Sequence, residues 1–533
     1  MKVSWRVNLI LVFFILFSAV LLSRLIYIQI LQIDFYKALA QGLQNFPTET
    51  QPERGEIFLK NGESLAINKN FPLVFAVPPK VIDSEKTAET LSEILHLDKN
   101  FILEKLKVDS LFSFYSLIKN KLTQEEAELI KNSKLAGIYL DEERLRYYPQ
   151  ESLASQVMGF LGAQGSGQYG LEEYYDEILK GASKGTDLTL TLDYNIQFKA
   201  EKLLERAKEN LDIESGQIVV MDPNSGKIIT LANFPNFNPN NYGEYAQSGD
   251  LEIFKNRVTQ DFFEPGSVFK PITFAAALNE GKITPQTTYI DKGIVEIGGW
   301  PIYNYGNHVW GEQTMTNVLE KSINTGAVFV EKLLPHHIFL DYIEKFGIFE
   351  STGIDLPENF SENKEFKNGY EVNFATASFG QGIEMTPIQL ARAYCAIANG
   401  GKLVKPYLVE IEKGSEIPPS IISSKTASQL TAMIVSVVEN GFGKAAKIPG
   451  YYIAGKTGTA QISFSALEID KPGYSEKTIQ TFLGFFPAFS PQFLILIKLD
   501  NPKTKTAEYS ATPIFHDLAE YIIHYYQIPP DYE

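Results

Sequence analysis

Three short motifs follow one another in this 533-residue chain, and their order constrains its fold more than any other feature. They are Ser267-Val268-Phe269-Lys270, Ser322-Ile323-Asn324 and Lys456-Thr457-Gly458. A serine and a lysine three positions apart are neighbours on a helix, so Lys270 can reach the Ser267 hydroxyl within one turn. For the other two motifs to act on the same hydroxyl, the chain from the first motif to the last must fold as one domain.

The serine–lysine spacing alone has little specificity, because two further segments match it. These are Ser116-Leu117-Ile118-Lys119 and Ser361-Glu362-Asn363-Lys364. Ser267 differs from both in its context, because it follows a Pro265-Gly266 turn, opens an apolar helix and has the other two motifs downstream. The context therefore selects Ser267 as the candidate nucleophile.

The chemistry of the three motifs is that of an activated serine. A serine hydroxyl is a weak nucleophile until a neighbouring base takes its proton, and Lys270 is that base if its pKa is lowered. Burial and a second cation both lower the pKa of a lysine, and Lys456 is the candidate second cation. Thr457 and Lys456 offer a hydroxyl and a charge for a carboxylate. The backbone N–H groups of Ser267 and Thr459 would form an oxyanion hole.

The amino terminus contains an apolar run from residue 7 to residue 22 that continues, with interruptions, to residue 30. About 20 residues suffice for a helix to cross the hydrocarbon core. Lys2 and Arg6 precede the run, so the positive-inside rule predicts residues 1–6 in the cytoplasm, 7–30 as a transmembrane helix and the remainder outside. The alternative is a cleaved signal peptide, but the run exceeds the usual apolar region of such peptides and no clear small-residue cleavage site follows it.

Composition narrows the classes of function. A net charge of -16 argues against binding nucleic acid through phosphate neutralisation, and an apolar fraction of 44% indicates folded cores. The single cysteine, Cys395, cannot form an intramolecular disulfide and lies in an apolar stretch typical of a buried, inert thiol. The six histidines show no metal-binding spacing, so neither a metal nor another cofactor is predicted.

Two folded domains follow the apolar run. Residues 34–192 are predicted as a mixed α/β, non-catalytic domain, with a β-hairpin around Asn61-Gly62 and a charged, helical stretch from residue 83 to residue 140. Residues 193–527 are predicted as the catalytic domain, with a first helix capped by Asp193 and a capping box at Thr386. Strand patterns at 217–221, 227–232, 452–462, 481–486 and 493–499 flank a helical insert. They predict an α+β fold with an antiparallel sheet of about five strands covered by helices on both sides.

The three motifs resemble those of penicillin-binding proteins and serine β-lactamases, and several longer stretches resemble the monofunctional class B penicillin-binding proteins. These stretches are Arg54-Gly55-Glu56-Ile57 with Gly62 and Leu65-Ala66, Tyr169-Gly170-Leu171-Glu172, Phe263-Glu264-Pro265-Gly266-Ser267, Gly380-Gln381-Gly382 before Thr386-Pro387-Ile388-Gln389-Leu390, Ala454-Gly455-Lys456-Thr457-Gly458-Thr459-Ala460, and Phe482-Leu483-Gly484-Phe485-Phe486-Pro487. The resemblance covers nearly the whole chain. It implies a serine β-lactamase-like transpeptidase domain behind a non-catalytic dimerisation or pedestal domain.

The resemblance also implies a reaction and a role for each motif residue. The reaction is peptidoglycan D,D-transpeptidation, in which Ser267 is acylated by a D-Ala-D-Ala stem peptide with Lys270 as base, and a D-Ala-D-Ala carboxypeptidase side reaction is compatible with the same acyl-enzyme. Ser322 would relay protons to the leaving group and Asn324 would bind a substrate amide carbonyl. Lys456 completes the implied catalytic set, and the implied substrate-binding residues, for the terminal carboxylate and the oxyanion, are Thr457, Gly458 and Thr459.

Partners and alternatives follow from the same resemblance. It implies stem peptides and β-lactams as ligands, and a membrane glycan polymerase with division-complex proteins as partners. The stretches Ala232-Asn233-Phe234-Pro235 and Asn238-Pro239-Asn240 resemble the division type, with an elongation-type class B enzyme as the alternative. A membrane-anchored serine β-lactamase and a β-lactam sensor are less compatible with the domain order. A catalytically dead scaffold would be expected to lack Ser267, Lys270 or Lys456, and all three are present.

Overall fold

A computed structural model describes residues 5–27, 29, 53–107, 115–182, 184–367, 369–410 and 417–533. The chain divides into two compact units that interleave along the sequence. The first comprises Met1–Arg54, Ile67–Tyr147 and Lys180–Gly185 in their described parts, and the second comprises Gly55–Ala66, Tyr148–Leu179 and Thr186–Glu533. The boundary between residues 192 and 193 stays a prediction.

The secondary structure is mixed in the described part of the chain. The helices are α1 Trp5–Ile26, α2 Ser84–Leu95, α3 Lys99–Leu106, α4 Gln124–Ser133, α5 Ser155–Met158, α6 Gly170–Tyr174, α7 Asp176–Lys180, α8 Tyr194–Leu211, α9 Tyr242–Ser248, α10 Arg257–Gln260, α11 Lys270–Asn279, α12 Met315–Glu320, α13 Asn324–Lys332, α14 His336–Lys345, α15 Lys364–Lys367, α16 Glu371–Ala377, α17 Pro387–Ala398, α18 Ser424–Asn440 and α19 Ala511–Tyr526. The strands are β1 Ile57–Leu59, β2 Ser64–Ala76, β3 Ser116–Lys119, β4 Ile138–Tyr147, β5 Phe160–Leu161, β6 Gly167–Gln168, β7 Leu188–Leu190, β8 Ser215–Met221, β9 Ile228–Phe234, β10 Thr288–Asp291, β11 Ile294–Ile297, β12 Trp300–Tyr303, β13 Gly311–Thr314, β14 Ala454–Ser463, β15 Tyr474–Phe486 and β16 Phe493–Asp500.

Helix α1 is the apolar amino-terminal segment. Its window Leu9–Ile26 has 18 residues and a mean hydropathy of 2.7, so the helix is long and apolar enough to cross a membrane. A single-pass anchor is therefore the function that fits this helix. Lys2, the side chain of Arg6, and the predicted limits at residues 30 and 34 lie outside the described residues.

The first unit contains a small antiparallel arrangement around the part of β2 from Ile67 onward, which pairs with β3 and β4. Helices α2, α3 and α4 cover one face of it, with Val74, Leu91, Ile102 and Ile130 in the shared core. The predicted charged, helical stretch from residue 83 to residue 140 contains α2, α3 and α4, but the prediction is wrong at β3 and at the start of β4, which also fall within it. Ile118 of β3 is buried in the same core, and so short a strand offers little periodicity to detect.

The second unit begins with the hairpin of β1 and β2, in which Ile57 lies opposite Ala66. The predicted hairpin is confirmed, but its turn is longer than a two-residue Asn-Gly turn, because Leu59 N donates to Glu63 O at 2.8 Å. Gly62 has a φ of 86°, a conformation that glycine adopts without strain. On its other side β1 pairs in parallel with β7.

The main sheet of the second unit has five antiparallel strands in the order β14–β15–β16–β8–β9. Helices α8 and α19 cover one face, where Leu204 and Phe515 pack with Ile497. On the other face, a larger core joins strand residues such as Leu496 to Phe269 and to helices α11, α17 and α18. The predicted α+β architecture, with five strands between two helical layers, is confirmed.

Local capping signals in the second unit are confirmed as well. Asp193 caps α8 by accepting from Asn195 N and Ile196 N, and Thr386 caps α17 through a complete capping box with Gln389. Cys395 lies on α17 and is fully buried, and its burial raises the pKa of its thiol. Burial and a raised pKa leave this thiol inert, as predicted.

Candidate active site

The turn that carries Ser267 differs slightly from the prediction. Residues Gly266–Phe269 form a 3-10 turn, and the α-helix proper, α11, begins at Lys270 rather than at Ser267. Pro271 lies in the first turn of α11, where its missing N–H leaves no bond unmade. Ser267 and Lys270 still lie within one helical turn, because they are three positions apart and the 3-10 turn runs directly into α11.

Lys270 is fully buried and lies at the centre of a polar cluster. Its Nζ lies 3.0 Å from Ser267 Oγ, 2.6 Å from Ser322 O, 3.2 Å from Ser322 Oγ and 2.9 Å from Asn324 Oδ1. A neutral amine has two N–H groups and one lone pair. If the two N–H groups donate to Ser322 O and Asn324 Oδ1, the lone pair faces the hydroxyl of Ser267.

The electrostatics of the cluster favour that neutral form. Burial, and then the charge of Lys456, hold the pKa of Lys270 well below its usual range. Burial also lowers the pKa of Lys456, to about 7. The described partners of both buried lysines at the site are neutral oxygens, so no negative charge among them stabilises two ammonium groups. One of the two lysines is therefore a base at neutral pH.

Ser322 connects the two lysines. It lies between α12 and α13 with a φ of 53°, an uncommon left-handed conformation for a serine. Its Oγ is 3.2 Å from Lys270 Nζ and accepts a hydrogen bond from Lys456 Nζ at 3.0 Å. The Asn324 amide lies nearby, at the start of α13, and donates from Nδ2 to Tyr303 O at 3.1 Å.

Strand β14 supplies the third motif and is an edge strand of the main sheet. Lys456 Nζ also donates to Thr457 O at 2.9 Å, which fixes the ammonium beneath the strand. Gly458 lies against the serine turn, since a Cβ there would be 2.9 Å from Pro265 O. Thr459 Oγ1 accepts a hydrogen bond from Ala507 N at 3.1 Å, so this hydroxyl has a partner within the fold.

These elements surround a cleft with a volume of about 980 Å³. Of the predicted residues, Ser267, Ser322, Asn324, Thr457 and Thr459 line it, whereas Lys270 and Lys456 lie buried behind the two serines. An extended peptide could pair with the open edge of β14 at this cleft. The structure therefore brings the three motifs together around the Ser267 hydroxyl.

The two other serine–lysine segments lack such surroundings in the described structure. Ser116 and Lys119 lie on strand β3, and Lys119 Nζ forms an ion pair with Glu126 at 2.7 Å. Ser361 Oγ donates to Glu384 Oε1 at 2.7 Å, and Lys364 pairs with Glu362. Among the three serines, Ser267 is the one with a buried lysine at hydrogen-bonding distance.

The sequence analysis missed a buried polar cluster beside Asn324. Asp291 and Asn304, on and beside the short strand pairs β10–β13 and β11–β12, form buried hydrogen bonds to Thr325. These strands were not predicted because each has four residues and is largely exposed. The Asp291-Lys292-Gly293 sequence is typical of a tight turn, and this signal could have placed a strand end there.

Comparisons with known proteins agree with this geometry. Residues 216–520 match the model of the penicillin binding protein transpeptidase domain, and residues 49–208 match the penicillin-binding protein dimerisation domain. Stage V sporulation protein D of Bacillus subtilis is 32% identical over 93% of this chain and 82% of its own length. A peptidoglycan D,D-transpeptidase FtsI homolog of Mesostigma viride is 29% identical over 98% of this chain and 96% of its own length.

A solved structure shows the same likeness in three dimensions. Penicillin binding protein 3 of Mycobacterium tuberculosis, crystallised with aztreonam, has a TM-score of 0.70 and 25% sequence identity. The match covers 90% of this chain and 97% of that one. The transpeptidase model alone spans more than half of the chain. The chain belongs to the penicillin-binding protein transpeptidase family, and within it to the class B peptidoglycan D,D-transpeptidases.

Proposed function

We propose that the chain cross-links peptidoglycan stem peptides through an acyl ester on Ser267, with Lys270 as the general base. The observation that carries the proposal is the 3.0 Å distance between Lys270 Nζ and Ser267 Oγ, in a site where burial, and then the charge of Lys456, lowers the pKa of Lys270. A lysine that is neutral at physiological pH can accept the serine proton.

Acylation then proceeds by attack of Ser267 on the donor peptide and departure of D-alanine. Ser267 Oγ attacks the carbonyl carbon of the penultimate D-alanine, and its proton moves to Lys270. The tetrahedral oxyanion is stabilised by the backbone N–H groups of Ser267 and Thr459. When the C–N bond breaks, Ser322 passes its proton to the amine of the departing D-alanine and takes in its place the proton that Lys270 received from Ser267, so Lys270 is neutral again. Its position between Lys270 and Lys456 supports this relay.

The second half-reaction uses the same groups in reverse. An amine from a neighbouring stem peptide attacks the ester carbonyl and loses its proton to the Lys270 and Ser322 pair. The ester C–O bond breaks, the new amide forms, and Ser267 regains its proton. Lys456 and Thr457 hold the terminal carboxylate of the donor, Asn324 binds a substrate amide, and Gly458, which has no side chain, lets β14 lie against the turn that carries Ser267.

Penicillin binding follows from the same mechanism. A β-lactam presents its strained amide to Ser267, and the leaving nitrogen stays tethered within the acyl-enzyme. Persistence of the adduct for many minutes distinguishes a transpeptidase from a β-lactamase, which must hydrolyse its ester quickly. Intact mass after penicillin treatment should show one adduct on the wild type and none on Ser267→Ala.

The chain offers a matched control for this experiment. Ser361→Ala removes the serine of another serine–lysine segment in the same unit and should leave labelling unchanged. A label that survives in Ser267→Ala, or turnover at β-lactamase rates, would contradict the proposal.

A role in division is the finer proposal. It is supported by the names of relatives described as FtsI homologs and by the division-type stretches before Tyr242. Depletion of the protein should produce filamentous cells, whereas loss of an elongation-type enzyme would produce rounded cells. A membrane glycan polymerase and division-complex proteins are the partners that this role implies.

The proposed topology places the amino terminus in the cytoplasm and the catalytic unit outside. It is supported by the apolar length of α1 and by the cationic residues before it in the sequence. Protease added to spheroplasts should digest the catalytic unit. Amino-terminal sequencing of the native protein should begin at or near Met1, and a start after residue 20 would mean that a signal peptide had been removed.

A further inference from the structure

A buried carboxylate outside the three motifs lies beside helix α13. Asp291 ends strand β10 and is 2% exposed. Its two oxygens accept hydrogen bonds from Gly293 N at 3.0 Å, Trp310 N at 2.8 Å, Asn304 Nδ2 at 3.0 Å and Thr325 Oγ1 at 2.6 Å. Four donors on one carboxylate, from separate segments of chain, make this residue the centre of a local network.

Asn304 is the second member of the network, and Asp291 determines the orientation of its amide. A carboxylate only accepts hydrogen bonds, so the Asn304 Nδ2 group must face Asp291 and Oδ1 must face the other way. There, Oδ1 accepts from Thr325 N at 3.1 Å. The backbone of Thr325 is thus held at the start of α13.

The network ends next to Asn324, a predicted active-site residue, and next to Tyr303, whose carbonyl oxygen Asn324 contacts. Thr325 follows Asn324, and Asn304 follows Tyr303. Asn324 Nδ2 donates to Tyr303 O at 3.1 Å, and Asn324 Oδ1 is 2.9 Å from Lys270 Nζ. With Tyr303 O and Thr325 both fixed, the Asn324 amide can present its oxygen, and not its NH₂ group, to Lys270.

We propose that Asp291 is a positioning residue for acylation, which acts through Asn304 and Thr325 to fix the orientation of the Asn324 amide against Lys270. The inference rests on the proposed roles of Ser267 and Lys270. Asp291 itself touches neither the nucleophile nor the base in the described contacts, so its effect on the reaction must pass through the side chains between them.

The charge of Asp291 is part of this role. Burial acts to raise the pKa of this carboxyl, but the hydrogen bonds from Thr325, Trp310, Gly293 and Asn304 hold the pKa below its usual value. The group is therefore a carboxylate at neutral pH. Asp291→Asn keeps the shape of the side chain but points an NH₂ group at one of the present donors, which disrupts the network at its centre.

The test compares Asp291→Asn with a matched control, Asp355→Asn. Asp355 is also buried in the second unit and accepts from Leu408 N and Val409 N, both at 2.7 Å, and its described hydrogen bonds do not reach a motif residue. The rate of penicillin acylation of Ser267 is measured for both variants across a range of pH. We expect Asp291→Asn to be about 10- to 100-fold slower than wild type, as for other misplaced catalytic groups.

The pH profile separates a positioning role from a general loss of structure. When Asn324 no longer accepts from Lys270, the ammonium form of Lys270 loses a stabilising bond, so its pKa falls and the acid limb of the profile moves to lower pH. Lys456 on β14 is the other titratable group that faces Lys270, and it is unchanged in both variants. Asp355→Asn should leave the acid limb where it is.

A double-mutant cycle and a milder variant complete the design. Asp291 acts partly through Asn304 and partly through its direct bond from Thr325 Oγ1, so Asp291→Asn should slow acylation less in an Asn304→Ala background than in wild type. Thr325→Val removes one hydroxyl from the network at constant shape, so it gives the same readout if Asp291→Asn does not fold.

Three outcomes would overturn the inference. One is acylation by Asp291→Asn and Thr325→Val within a factor of two of wild type, another is an unmoved acid limb, and the third is an equal shift in Asp355→Asn. Failure of the wild type to be labelled at Ser267 is a different result, because it removes the proposed function and this inference with it.

Discussion

Two buried lysines on one sheet have opposite surroundings. Lys456 on β14 and Lys498 on β16 are both almost completely buried. Lys456 Nζ is surrounded by neutral oxygens, those of Ser322 and Thr457, whereas Lys498 Nζ lies 2.6 and 2.9 Å from the two carboxylate oxygens of Asp500. The difference lies in the counter-charge and not in the depth of burial.

The comparison explains why one site can be reactive and the other structural. With neutral oxygens as its described partners, Lys456 has a pKa that burial lowers to about 7, and burial together with Lys456 lowers the pKa of Lys270. At the other site burial acts to raise the pKa of Asp500, but Lys498 and Ser215 hold it below its usual value. Burial without compensation makes a base, and burial with compensation makes an ion pair.

The largest effect is expected from removing the base at the reactive site. Lys270→Ala should slow penicillin acylation by about 10² to 10⁴, the usual effect of losing a general base. The fold should persist, because the described partners of Lys270 are neutral and are not left as uncompensated charges. Intact-mass time courses on folded protein measure the rate. Acylation within a factor of two of wild type would mean that Lys270 is not the base.

Removing the lysine of the compensated pair should have the opposite outcome. Lys498→Met removes the counter-charge that is hydrogen-bonded to Asp500 and leaves only the weaker effect of Arg257, and it also removes a positive charge that lowers the pKa of the nearby Asp261 carboxyl. Breaking a buried ion pair in this way typically costs about 3 to 5 kcal/mol of stability. Denaturant unfolding measures the loss, and acylation per folded molecule should change little. An unchanged unfolding midpoint would show that the pair contributes nothing.

The uncompensated lysine should make stability depend on pH. The pKa of Lys456 is about 7 in the folded protein against an ordinary value of 10.5, so between these values the unfolded chain binds more protons. Stability therefore rises with pH across this window, by up to about 1.4 kcal/mol per pH unit. Lys456→Met removes that dependence, so the variant should be more stable than wild type near pH 7.

The advantage of Lys456→Met should shrink as the pH approaches 10.5, because the wild type recovers its stability there. Unfolding midpoints of both proteins at several pH values give the difference directly. Lys498→Met is the control, because its effect comes from a paired charge. A stability difference that stays constant with pH would show that Lys456 remains charged in the folded protein.

The sequence predicted the reactive lysines but not the structural pair. Lys270 and Lys456 are identified by motifs, and the strand patterns around 452–462 and 493–499 placed the strands of Lys456 and Lys498 in the sheet. Lys498 lies in β16, which is buried on both faces, opposite Gln217 of β8 and with Asp500 two residues further on. A buried charge inside a continuously apolar strand has no local signal, because its neighbours on the next strand are set by the register of the sheet.

The same limit applies to the candidate site. Asp291, Asn304 and Thr325 are far apart in sequence and meet only through short, mostly exposed strands. The wrong helical prediction around Ser116–Lys119 has a related cause, since that strand is defined by its pairing with β2 and not by its own periodicity. Short motifs identify the catalytic residues, whereas polar contacts between residues distant in sequence can be located only in the folded structure.

The smallest expected effect comes from removing both charges of the compensated pair. In Lys498→Met/Asp500→Asn neither member of the pair is left as an uncompensated charge, and the amide oxygen that replaces the Asp500 carboxylate can still accept from Ser215, which donates to Asp500 in the wild type. Replacing a buried ion pair by uncharged groups often changes stability little. The free energy of unfolding of the double variant should therefore lie within about 1 to 2 kcal/mol of wild type and be clearly larger than that of Lys498→Met alone. Its acylation rate should also match the wild type.

The corresponding change at the reactive site, Lys270→Ala with Lys456→Ala, should not recover acylation, because there the lysines take part in the chemistry and do not merely balance a charge. Lys498→Met and Lys498→Met/Asp500→Asn both remove the packing of the Lys498 side chain, but only Lys498→Met leaves the Asp500 charge behind. Denaturant unfolding of these two variants, measured side by side, therefore separates the effect of the charge from that of the packing. If the double variant were as unstable as Lys498→Met, the loss would come from the packing of the Lys498 side chain over the Phe263 ring, 5.3 Å from its centroid, and not from the charge left behind.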